Sequence, residues 1–100
     1  MVIGEVRTFP NVEPDKQQVL KILEEAAEVF SAWENWEGRS KSSLKFSYAS
    51  NSLYRNLLNE CADVIQATSN LLASLGIDDF EPLMQACEER NEKRGRYDIH

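Results

Sequence analysis

Four carboxylates in two pairs of equal spacing, Glu25 with Glu28 and Glu60 with Asp63, are the residues of this chain best suited to chemistry. Members of each pair are three positions apart, so on a helix they project from one side within about 60° of each other. A carboxylate withdrawn from water has to be protonated, paired with a base or bound to a cation. No Lys or Arg occurs between Lys21 and Glu37, and Arg55 is the only one between Lys45 and Arg90, so local bases cannot serve all four. Hard oxygen ligands in that number suit Mg²⁺, with Mn²⁺ as a substitute, and both ions keep positions for water and phosphate oxygens.

The elements that must carry these groups are helices. From Gln17 to Trp36 the apolar residues recur at three- and four-residue steps in two neighbouring rows. One row reads Val19, Leu23, Ala26, Phe30, Trp33 and the other Ile22, Val29, Ala32, Trp36, with Glu25 completing the second. From Leu53 to Leu75 a row of Leu53, Leu57, Val64, Ala67 and Leu71 requires an apolar residue at position 60 and carries Glu60 there instead. Glutamates on helices ordinarily form solvated faces, so it is this stripe position that sets Glu60 apart. Glu24 lies nearer the polar side and is expected at the surface, or behind the ligands, before it is expected on an ion.

Residues 21–29, KILEEAAEV, followed by residues 60–65, ECADVI, resemble the EExxE…ExxD signature of the MazG-like, all-α nucleoside triphosphate pyrophosphohydrolases. Residues 75–78, LGID, are similar to that family's turn after its second motif helix, and residues 91–97, NEKRGRY, to the basic segment that closes the third helix. The resemblance covers about residues 15–97, with a longer gap between Glu28 and Glu60 than in compact members. It implies a metal-dependent enzyme that cleaves an NTP or dNTP between the α and β phosphates, giving a monophosphate and pyrophosphate. It also implies that Glu25, Glu28, Glu60 and Asp63 bind Mg²⁺ and form the catalytic set, that Asn91, Lys93 or Arg94 contacts phosphate, and that the protein is a homodimer or a dimer of dimers. A phosphoribosyl-ATP pyrophosphohydrolase on the same scaffold is the enzymatic alternative. A non-enzymatic acidic helical interaction protein is the other.

One hundred residues make one domain with a modest core that association can enlarge. A formal net charge of −6 argues against binding a nucleic-acid polymer, which requires many bases on phosphates. The chain has no apolar run long enough to cross a bilayer and no hydrophobic signal region at its start, so a cytoplasmic location is expected. The expected architecture is an all-α bundle of three main helices, completed by oligomerisation. Residues 1–13 form an arm in which Val2, Ile3, Val6 and Phe9 dock, and residues 14–97 form the helical core. Residues 38–52, rich in Ser with Arg39, Lys41 and Lys45, form a loop or a short fourth helix.

Asp15 with Gln18, and Asp78 with Glu81, resemble capping boxes that open the first and third helices, while Gly76 is a helix stop. The third helix is expected to present Phe80, Leu83, Met84 and Cys87 to the core. Cys61 and Cys87 lack metal-ligand spacing and read as small buried thiols. Trp33 is expected in the core and Trp36, near the helix end, as the aromatic that stacks on a nucleobase. Covalent catalysis is disfavoured, because the only histidine is the terminal His100 and no Ser or Cys has a recognisable base beside it.

Overall fold

The computed structural model describes residues 4–40 and 48–98 and is helical throughout its regular parts. Helix α1 spans Lys16–Ser40, α2 spans Tyr48–Ser74 and α3 spans Glu81–Lys93, with no strand among the described residues. Both long helices exceed the expected bounds at the serine-rich segment, because residues 38–40 continue α1 and residues 48–52 open α2. The segment expected to form a loop or short helix is thus helical at both its ends, and residues 41–47 lie outside the described residues. Residues 48–52 include Ala49 and no Gly or Pro, so the modest helix propensity of Ser50, Asn51 and Ser52 does not break the helix there.

Local chemistry sets the ends. The Asp15 carboxylate accepts from the Gln18 N–H at 3.0 Å, the first half of the expected capping box. At the end of α2, Gly76 takes φ 90° while the Ile77 N–H donates to Leu72 O and the Gly76 N–H to Ala73 O, a Schellman closure that favours glycine. The Asp78 box does not form. Phe80 occupies the N-cap of α3 without a side-chain cap, and Asp79 instead accepts from the Glu81 N–H at 3.0 Å, with Pro82 in the first turn.

Helices α1 and α2 pack as an antiparallel hairpin, in which Glu25 lies near Glu60 and Trp36 near Tyr54. The row facing α2 is Ile22, Glu25, Val29, Ala32 and Trp36, and it meets Leu53, Leu57, Glu60, Val64, Ala67 and Leu71. Ala32 and Ala67 are almost fully buried, and their small side chains permit close helix approach. The other α1 row is a correction to expectation, since Val19, Leu23, Phe30 and Trp33 face solvent in the single chain. One helical neighbour covers only one arc of a helix, and here α2 takes the narrower row.

The third helix departs further from expectation. It packs against neither α1 nor α2 among the described residues, and it has no buried side chain. Phe80, Leu83 and Met84 are exposed and Cys87 half-buried, so they do not join the hairpin core. Cys61 is also exposed, and both thiols are free, against the expectation of buried ones. The radius of gyration is 16.8 Å, where a compact 100-residue domain has about 13 Å. No helix of the described residues is long and apolar enough to cross a membrane.

The described part of the N-terminal arm docks on α2 through polar contacts, with Val6 half-buried beside them. Asn70, buried on α2, accepts from the Phe9 N–H and from Gln66 Nε2, each at 3.0 Å, while Gln66 Nε2 also donates to Arg7 O at 2.9 Å. Val6 is half-buried and Phe9 remains exposed, whereas Val2 and Ile3 lie outside the described residues. Replacing Asn70 with Ala leaves the Phe9 amide without its acceptor and is expected to cost about 1 to 2 kcal/mol. Urea unfolding combined with amide exchange should show a lower midpoint and faster exchange at Phe9. An unchanged midpoint would mean that the arm is not anchored there.

Candidate metal centre

The inward row of α1 places Glu25 at the hairpin interface, where it is only 6% exposed. Glu60 arrives opposite it because α2 keeps its own apolar row inward and position 60 belongs to that row. Asp63, one turn along α2, completes a group in which one carboxylate oxygen each of Glu25, Glu60 and Asp63 lies within 4.8 Å of the others. Three of the four expected ligands therefore converge. The fourth, Glu28, is exposed and falls outside that group, although Glu60 and Glu25 lie near enough to raise its carboxyl. Glu24 stays at the surface with 65% of its side chain exposed, in keeping with its position toward the polar side.

Two oxygens of the group, Glu25 Oε2 and Glu60 Oε2, are shielded from water and have no hydrogen-bond partner. Buried carboxylate oxygens without donors carry an uncompensated desolvation cost. A hard divalent cation between them would offset that cost, so the three carboxylates form a group that could hold a metal ion.

Lys21 is the participant that sequence reasoning missed. Its ammonium group lies 2.8 Å from Glu25 Oε1 and 3.9 Å from Glu24 Oε2. The signal was its place one turn before Glu25 on the same helix, the spacing at which a lysine reaches a glutamate. Hydrogen bonding to Lys21 holds the Glu25 carboxyl below the usual carboxylate range despite burial, and the same bond raises the Lys21 ammonium. Glu28 moves the other way, to about 7. Its hydrogen bond to Glu60 is the largest cause, followed by repulsion from the Glu25 charge, the Glu28–Glu25 hydrogen bond, repulsion from Glu60 and burial. A proton on Glu28 thus relieves like-charge repulsion that a cation would also relieve.

A second missed feature is a polar groove of about 310 Å³ lined by Asn51, Ser52, Arg55, Asn56 and Asn59. Asn56 lies four residues before Glu60 and Asn59 four before Asp63, so the groove continues the acidic face toward the start of α2.

The aromatics gather at that same end of the hairpin. Trp36 contacts Trp33 at a centroid distance of 5.2 Å and Tyr54 at 5.9 Å. Their expected roles reverse in part: Trp36 is half-buried between the helices, while Trp33 is 45% exposed. Asn91, Lys93 and Arg94 stand on or just past α3, and that helix is packed on neither motif helix. The half-buried Asn91 donates to Cys87 Sγ at 3.5 Å. No protein-family model, curated protein or solved structure matches the chain.

The raised Glu28 carboxyl has a thermodynamic consequence. Its folded state binds a proton more tightly than the unfolded state, so the resulting stability is fully present below about 4.5 and is lost as pH rises through about 7. Without divalent ions, the melting temperature should therefore fall between pH 5.5 and pH 8. The Glu28→Gln variant should flatten that slope, and Mg²⁺ or Mn²⁺ should raise the melting temperature more at pH 8 than at pH 5.5. A metal effect equal at both values would contradict competition between proton and cation.

Proposed function

We propose that the chain is a metal-dependent nucleoside triphosphate pyrophosphohydrolase, cleaving an NTP or dNTP between its α and β phosphates to a monophosphate and pyrophosphate. The observation that carries this reading is the convergence of Glu25, Glu60 and Asp63 with two buried, partnerless carboxylate oxygens. Support also comes from the resemblance of residues 24–28 and 60–63 to the MazG-like signature.

Glu25, Glu60 and Asp63 would hold the cation, with Glu28 beside them. Bound Mg²⁺ supplies charge neutralisation of phosphate oxygens and a water of lowered pKa. Glu28 is the carboxylate left to accept a proton from the attacking water, in line with a carboxyl that titrates near neutrality in the free chain. Arg55, Asn56 and Asn59 offer donors to phosphate or ribose oxygens along the adjoining groove. The aromatic cluster begins with Trp33 and Trp36, and Trp36 lies eight residues beyond Glu28, about 12 Å along the axis. That separation suits a nucleotide whose phosphates sit at the acidic group and whose base rests on Trp33 or Trp36.

A pyrophosphate-release screen across NTPs, dNTPs and phosphoribosyl-ATP, with Mg²⁺ and with chelator, tests this directly. Release from nucleoside triphosphates that stops with chelator is the expected result. Preference for phosphoribosyl-ATP would select the alternative substrate class, and no release from any nucleotide would leave the acidic group as a binding surface. Glu60→Gln preserves shape but removes a ligand charge, so it should lower turnover roughly a hundredfold or more while leaving helicity unchanged. Near-normal, Mg²⁺-dependent turnover in that variant would exclude Glu60 as a ligand.

A further inference from the structure

We propose that Lys21 exchanges partners, leaving Glu25 when a divalent cation joins the acidic group and donating instead to the β- and γ-phosphate oxygens that depart as pyrophosphate. The exchange rests on the hydrolase reading above and adds to it the residue that receives the leaving group.

Lys21 lies four residues before Glu25 on α1, about 6 Å along the axis, whereas Trp33 and Trp36 lie beyond Glu28 on the other side. A nucleotide with its base on those rings and its phosphates at the acidic group therefore directs its β and γ phosphates toward Lys21. Arg55 serves the opposite end. It lines the polar groove and follows Tyr54, whose ring contacts Trp36. No Lys or Arg occurs in residues 22–38 or 56–89, the stretches that carry the four carboxylates, so no nearer base in sequence competes with Lys21 for this place.

The ion pair is built to be exchanged. Lys21 Nζ lies 2.8 Å from Glu25 Oε1 and 3.9 Å from Glu24 Oε2, while Glu25 Oε2 is buried without a donor. One carboxylate thus offers a lysine-bound oxygen and an orphaned one. A divalent ion drawn to the orphaned oxygen brings positive charge beside the ammonium, and like charges at that range repel. The lysine side chain is 57% exposed, so the pair is weakly held and its release leaves the helix packing untouched. Three donors on a flexible stem then suit phosphate oxygens, whose charge replaces that of the carboxylate left behind.

Two dissociation constants, measured by isothermal titration on the full chain, separate this exchange from a structural role. For Mn²⁺ alone, Lys21→Met should tighten binding about threefold to fivefold, because an exposed competitor for Glu25 is lost. For inorganic pyrophosphate at saturating Mg²⁺, the same variant should weaken binding about tenfold or more, the loss of a charge-assisted contact. Lys21→Gln should move both constants in the same directions as Lys21→Met, and circular dichroism should show the helices retained in each variant. Any result other than these opposed shifts overturns the exchange. Weakening of both constants would make Lys21 a support for the metal ligand, unchanged constants would make it a surface ion pair, and a wild-type chain that binds no Mn²⁺ or no pyrophosphate would leave it nothing to exchange. Failure of the hydrolase reading is seen separately, as opposed shifts in a chain that releases pyrophosphate from no nucleotide.

Discussion

Repulsion among carboxylates held between two helices is the constraint on which the rest of this structure depends. Glu25 and Glu60 occupy positions that belong to the apolar seam of the hairpin, and each retains an oxygen without a donor. Folding α1 against α2 brings them together whether or not a counter-charge is present. Lys21 neutralises one side of Glu25, and a proton on Glu28 relieves part of the remainder. These are incomplete solutions, because Lys21 reaches only Oε1 and the Glu28 proton is lost near neutral pH. A divalent ion addresses the same oxygens with more charge and several ligand positions.

Lys21 has a further place in this balance. Its ammonium is on an exposed side chain, so it can leave Glu25 at little cost when a cation arrives. It would then remain within one helical turn of the centre, where, in the function proposed above, a triphosphate would bring negative charge. The acidic cluster alone repels such a ligand. In that proposal the cation, Lys21 and Arg55 would together offset the negative charge locally while the chain as a whole stays acidic.

Helical periodicity carried much of the fold and the centre of the site. The stripe position of Glu60 and the completion of the inner α1 row by Glu25 placed both carboxylates at the interface they occupy. What periodicity could not separate was the two apolar rows of α1, since together they form one wide arc and spacing does not state which part meets the same chain. The same limit applies to α3, whose apolar side is expected in the core but is exposed, with the helix packed on neither α1 nor α2. Lys21 lies just outside the base-free stretch from residue 22 to residue 38, yet an i,i+4 reach from Glu25 runs back to it, and its ammonium closes on that carboxylate. At the serine-rich segment, turn-forming composition outweighed the helical reach of the flanking residues, which the long helices then claimed.

The most direct measurement is the anomalous scattering of crystals grown with Mn²⁺ at pH 8. An ion is predicted between α1 and α2 at roughly 2.0 to 2.3 Å from oxygens of Glu25, Glu60 and Asp63, with Glu25 Oε2 and Glu60 Oε2 among its ligands. Density for manganese elsewhere, or none, with those two oxygens still unpartnered and Lys21 still closing on Glu25, would contradict the assignment of this group as a metal centre.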